Sequence, residues 1–128
     1  MGEFIYMSAT ELARLIRSGK ATSTEIVKDH LDRINKLNPT LNAVVIILAD
    51  EALKTAAACD REAGQGSFRG PLHGVPMTVK EQFWVKGTKS TLNSKMLKDW
   101  TAPEDAVIVH RLRKAGAVIL GKTNVPRN

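Results

Sequence analysis

The sequence predicts an α/β fold: a mostly parallel sheet with flanking helices, preceded by two N-terminal amphipathic helices. Three observations carry this. Apolar residues recur at helical spacing from residue 12 to residue 37, behind two helix-start signatures. Short β-branched or continuous apolar runs then appear at 44–48, 75–79 and 117–120. Between those runs lie two stretches with helical composition and caps. Strand, helix, strand, helix, strand favours adjacent, largely parallel strands with right-handed crossovers.

Residues 1–7 read as a flexible or adventitious start, 8–38 as a helical pair and 42–128 as a partial α/β core. Ser8 and Glu11 form a capping box, in which each side chain satisfies the other's backbone N–H. Leu12, Leu15 and Ile16 share one face, and Gly19 stops the helix. Thr22 and Glu25 repeat the box. Ile26, Val27, Leu31, Ile34 and Leu37 then define an apolar stripe until Asn38-Pro39, with Lys28, Asp29, Asp32, Arg33 and Lys36 largely opposite. His30 borders the stripe, and no second ligand lies one turn away, so a packed imidazole is expected rather than a metal ligand.

From Asn42 the period changes. Val44 to Leu48 has the pattern of a strand covered on both faces. Asp50 is the expected N-cap of an alanine-rich helix over 51–63, closed by Gly64. Cys59 rides on that helix with nothing nearby in sequence to activate it, so a buried inert thiol is expected. After the connector Gly64-Gln65-Gly66-Ser67 comes Gly70-Pro71, then His73 in a turn, then the run Val75 to Val79 with Pro76 confined to its beginning.

Residues 86–103 read as an irregular loop with Gly87 at a tight turn. Ser90, Thr91, Asn93 and Ser94 line it, and such a loop suits the wall of a cleft. Ser90 and Ser94 are nucleophile candidates by residue type, although a turn hydroxyl explains them better. Thr101 and Glu104 suggest a third capping box, followed by Ala106, Val109, Leu112 and Ala115 at intervals of three until Gly116. His110 falls on the surface of that helix. Ala117 to Leu120 is the last buried run.

Composition excludes several classes. Apolar residues at 43% and charged residues at 25% rule out disordered and fibrous chains. The longest apolar run, Ala43 to Ala49, falls far short of the ~20 residues of a membrane-spanning helix, so no membrane span is expected. One cysteine permits no internal disulfide and fits a cytoplasmic home. The excess of 19 basic over 13 acidic residues is spread along the chain with few aromatics, which argues against nucleic acid as a partner. No cofactor or metal is expected.

Gly116 to Thr123 literally matches the phosphate-loop pattern G-x-x-x-x-G-K-[ST]. That loop needs inward-facing backbone N–H groups between a strand and a helix. Here the middle residues are the strand itself, and Asn124-Val125-Pro126 opens no helix, so nucleotide binding is disfavoured.

The residue that stands out chemically is Lys80, the single charge at the end of the Val75–Val79 run. Carboxyl ends of strands in open α/β sheets are where ligands and chemistry gather. By residue type alone it is compatible with a base, a Schiff-base amine, an anion anchor or a solvated charge.

Four blocks in order resolve that choice: GPLHGVPMTVKEQF at 70–83, Val85-Lys86-Gly87 with Ser90-Thr91, Glu104-Asp105-Ala106, and RLRKAGAVILGKTNVP at 111–126. Together they closely resemble the amidase signature family over about residues 8–126. The resemblance implies a partial amidase signature fold, a small-molecule amide substrate in the complete enzyme, and Lys80 as the catalytic lysine. It departs at Glu81-Gln82, where Asp-Asn is common, and at Arg127, where an acidic residue is frequent.

The mechanism so implied is a serine, cis-serine, lysine relay. Lys80 takes a proton from a bridging serine, which takes one from the nucleophilic serine that attacks the amide carbonyl. To accept a proton Lys80 must be neutral, which requires its pKa to fall from ~10.4 through burial or a nearby cation. In the family the Gly/Ser-rich segment with both serines and the oxyanion donors follows the Lys-Thr-Asn loop, whereas this sequence ends at Asn128. The 128 residues are therefore expected to be catalytically silent alone. They are also expected to carry an unpaired sheet edge that promotes self-association. The close alternatives are an A-type subunit of glutamyl-tRNA amidotransferase and a non-catalytic binding or regulatory remnant of the fold.

Overall fold

The computed structural model describes residues 4–41, 43–80, 83–88 and 101–123. Their order is α1 (Ala9–Arg17), α2 (Ser23–Leu41), β1 (Val44–Ile47), α3 (Ala49–Gly64), β2 (Pro76–Lys80), α4 (Val107–Lys114) and β3 (Val118–Thr123). Both N-terminal capping boxes form. Glu11 N–H donates to Ser8 Oγ at 3.2 Å, and Ser8 N–H returns a bond of 3.2 Å to Glu11 Oε1. At α2 the reciprocal pair is Glu25 N–H to Thr22 Oγ1 and Thr22 N–H to Glu25 Oε1, each 3.1 Å.

The sheet order is β1-β3-β2, with β3 in the middle. β2 pairs parallel to β3, as the strand–helix–strand reading requires, but β1 pairs antiparallel. The sheet is therefore mixed. Alternation of elements constrains which segments are strands, and it constrains direction only where consecutive strands are neighbours; β1 and β2 are separated by β3. Gly121 fixes the β1 pairing: a Cβ there would run into the Ile46 carbonyl and approach Val44 Cγ1 to 3.0 Å. β1 alternates half-buried and exposed residues, with Val45 and Ile47 each 39% exposed, so it is a one-sided edge and not a strand covered on both faces.

β3 is the strand covered on both sides. Val118 and Leu120 pack with Val27 and Leu31 of α2 and with Ala52 and Ala56 of α3. Ile119 faces the other way, onto Val79, Val85 and Val109. A third cluster joins Leu12 and Ile16 of α1 to Ile26 and Val75. The alanine-rich face of α3 thus serves close approach to the sheet, because Ala52 and Ala56 let its backbone sit against β3.

Three boundaries differ from the sequence reading. α2 runs past Asn38-Pro39 to Leu41, because Asn38 clasps the chain beyond: its Nδ2 donates to the Val44 carbonyl at 2.7 Å and its Oδ1 accepts Val44 N–H at 2.9 Å. α3 begins at Ala49 behind an uncapped Leu48, which puts Asp50 in the first turn, and the helix closes at Gln65. The third capping box does not form. α4 starts at Val107, and Ala106 before it has no side-chain cap. Asp105 instead accepts Lys86 N–H at 2.9 Å and pairs with Arg113 across 3.3 Å, an ion pair without hydrogen-bond alignment.

Candidate active site

Lys80 closes β2, and its carbonyl accepts Phe83 N–H at 3.0 Å. The residue is exposed, as is Thr78 two positions back, while Val79 between them is buried. With period-two alternation, one face of β2 packs against Val85, Val109 and Ile119, and Lys80 stands on the other face, which the described residues leave uncovered. The burial expected around this lysine is not supplied by the described residues. Lys80 pairs across the ladder with Thr123, whose Oγ1 lies 3.4 Å from the Val79 carbonyl.

The segment before β2 is built to place that strand. Leu72 N–H donates to the Ala115 carbonyl at 3.0 Å, Gly74 N–H to the Gly116 carbonyl at 2.8 Å, and Val118 N–H to the Val75 carbonyl at 2.8 Å. The 70–74 turn therefore lies directly on the turn that ends α4. Gly116 makes this possible: its φ is +102°, and a Cβ there would sit 2.5 Å from His73 Cα. Ser23 Oγ donates to the buried Gly74 carbonyl at 2.7 Å, so the start of α2 holds the same turn.

His73 has a structural task. Its Nδ1 accepts Arg69 N–H at 2.9 Å, which leaves Nε2 to donate to the Cys59 carbonyl at 2.8 Å. Phe68 meets its ring edge-on at 5.3 Å, and the Arg17 guanidinium lies 4.8 Å above Phe68. Cys59 is fully buried, and burial pushes its thiol up from the usual value, opposite to what a nucleophile needs. His30 Nδ1 is engaged with the Ile26 carbonyl at 2.8 Å, and His110 is exposed. Among the described residues no group of histidine, cysteine and carboxylate side chains is arranged to hold a metal. Nor is any helix there long and apolar enough to cross a membrane.

Sequence reasoning met Lys122 only in the disfavoured phosphate-loop match and missed its burial. It is a strand residue with none of its surface exposed, and its Nζ donates to Thr88 Oγ1 at 3.3 Å. Gly121, Lys122 and Thr123 all belong to β3, which removes the turn a phosphate loop requires. The signal that hides Lys122 is a register shift. Met77 pairs with Ile119 but Thr78 pairs with Gly121, so Leu120 is skipped and Lys122 falls beside Val79. Ser90, Thr91, Asn93, Ser94, Glu81-Gln82 and Arg127 lie outside the described residues.

The chain as a whole has close counterparts. The sequence profile of the family Amidase matches residues 25–128. The chain belongs to the amidase family. It is 46% identical over 119 residues to the indoleacetamide hydrolase of Bradyrhizobium diazoefficiens, which is 93% of this chain and 23% of that protein. Identity to the A-type subunit of the glutamyl-tRNA(Gln) amidotransferase of Acidothermus cellulolyticus is 41% over 125 residues, 98% of this chain and 25% of that relative. Among solved amidases, the peptide amidase of Stenotrophomonas maltophilia superposes with a TM-score of 0.88 at 38% identity, covering 98% of this chain and 26% of that one. This chain thus spans about a quarter of the length of the amidase relatives it matches.

Proposed function

We propose that these residues form the lysine-bearing portion of an amide hydrolase, with Lys80 as the proton acceptor of the serine relay. One observation carries the reading: Lys80 ends a strand whose other face is packed, and it stands exposed on the face that the described residues leave uncovered. A lysine so placed is available to groups brought over that face by the rest of an enzyme. The packed turn at 70–74 and the buried β3 beneath it give the lysine a rigid base, which general-base catalysis needs.

Alone, the 128 residues are expected to be inactive. The hydroxyls of Ser18 and Ser23 donate to backbone carbonyls, and that of Ser8 is tied into the α1 cap. The substrate of the complete enzyme is a small amide, and the lone buried thiol suits the cytoplasm. Identity to an A-type amidotransferase subunit supports a second reading, in which the same lysine serves ammonia release within a tRNA-dependent assembly.

The test replaces the matching quarter of the Bradyrhizobium hydrolase with this chain. Hydrolysis of indoleacetamide and labelling by a fluorophosphonate are expected from the chimera, and neither from the 128 residues alone. A folded chimera with no turnover would count against the hydrolase reading, and labelling of the short chain would contradict its silence.

A further inference from the structure

We propose that Lys122 is a positioning residue for Lys80, acting by clamping the turn that follows β2; the link to catalysis rests on the role proposed for Lys80. The argument begins with direction. Along β3, Val118 and Leu120 face α2 and α3 while Ile119 faces α4. Simple alternation would send Lys122 to the side of Val118 and Leu120. The register shift that skips Leu120 reverses this and puts Lys122 opposite Val79, on the side where Val79, Val85, Val109 and Ile119 cluster. Bulges of this kind re-aim a side chain.

What the re-aimed ammonium reaches is the 85–88 turn. Its bond to Thr88 Oγ1 is continued by the Thr88 hydroxyl, which donates to the Val85 carbonyl at 2.6 Å. Because the hydroxyl proton goes to Val85, Thr88 Oγ1 is free to accept from Lys122. Thr88 N–H also donates to the Val85 carbonyl at 2.9 Å, and Gly87 N–H and the Thr88 carbonyl exchange bonds with Ala102. The chain leaving Lys80 is thus fastened at Phe83 to the Lys80 carbonyl and at Thr88 to the neighbouring strand. An apolar side chain at 122 would fill the space but would supply no directional bond, and a buried ammonium is costly unless it makes such bonds.

The test has two readouts. In the 128-residue chain, amide exchange is followed at Phe83, Gly87 and Thr88, with amides of α2 as an internal reference. Lys122→Met and Thr88→Val are each expected to speed exchange at those positions about tenfold, the pair together no more than either alone, with α2 unchanged and Thr88→Ser like the unmodified chain. In the chimera the same two variants are expected to lower kcat about tenfold while KM stays within about twofold. Exchange that rises equally everywhere, or independent additive effects of the two substitutions, or unchanged kcat would overturn the proposal. If Lys80→Ala proves harmless instead, the role of Lys80 fails, and the exchange data still decide whether Lys122 holds the turn.

Discussion

Asp60, on α3, caps the amino end of α2: its Oδ1 accepts Ser23 N–H at 2.7 Å, and its Oδ2 accepts Thr24 N–H at 3.1 Å and the Thr24 hydroxyl at 2.5 Å. A carboxylate at a helix N-terminus satisfies otherwise orphaned donors and opposes the helix dipole. Because Ser23 also holds Gly74, this contact links α3, α2 and the turn that places β2. Asp60→Ala should cost about 0.5–2 kcal/mol, as a lost cap does. Asp60→Asn should cost less. Urea denaturation midpoints would measure both, and an Asp60→Ala chain as stable as the original would refute the linkage.

Gly121 and Gly64 should respond oppositely to alanine. At Gly121 the new methyl meets the Ile46 carbonyl, so β1 must shift or detach, at about 1–3 kcal/mol for an overpacked site. At Gly64, near the end of α3, nothing lies within 4 Å of the added carbon, and helix propensity favours alanine by up to about 1 kcal/mol. Thermal melts of the two variants should move in opposite directions. A Gly121→Ala chain that melts no lower than the original would contradict the packing described for β1.

Glu62 pairs with Arg69 through bonds of 2.8 Å from both Nε and Nη2. The Arg69 hydrogen bond holds the Glu62 carboxyl below its ordinary value, with part of that effect offset by desolvation. A depressed carboxylate stabilises the fold above its unfolded pKa, and the contribution fades as pH falls through the folded pKa. The pair is about one-third exposed on each side, so solvent limits it to the ~0–1 kcal/mol typical of surface pairs. Glu62→Gln should therefore be slightly less stable than the unmodified chain at pH 7, with the difference shrinking as the pH falls through and below the ordinary carboxylate range. A difference that grows on acidification would have the wrong sign.

The exposed β1 edge makes self-association the expected behaviour of these 128 residues. Val45 and Ile47 are exposed on a strand that pairs on one side only among the described residues. Sedimentation should show mass rising with concentration, and Val45→Lys with Ile47→Lys should suppress the rise. A monodisperse monomer across the range would remove edge pairing from consideration.

The readable parts of this fold were the local ones. Ser8–Glu11 and Thr22–Glu25 are contacts between residues three apart, and their partners are in the sequence itself. Thr101–Glu104 has the same pattern and fails, because α4 begins later and Asp105 is committed to Lys86 and Arg113. The identity of β1 as a strand was legible from its β-branched run, whereas its antiparallel direction depends on Gly121 in a strand some seventy-five residues away. At the site, Lys80 was legible as a strand-end charge with motif company. The uncovered face it occupies was not, since burial depends on what packs across β2. Lys122 was legible only as the lysine of a disfavoured phosphate-loop match and of the Lys-Thr-Asn block; its buried side was not, because a one-residue register shift reverses it and no periodicity in the sequence encodes that shift.

The most direct test of the role of Lys80 is Lys80→Ala in the chimera with the Bradyrhizobium hydrolase, assayed on indoleacetamide alongside a thermal melt. Loss of the general base should lower kcat by about 10²–10⁴ in a chimera that still melts as a folded protein. A variant that keeps its kcat within a few-fold of the parent would show that Lys80 is a solvated charge and that the proton acceptor lies elsewhere.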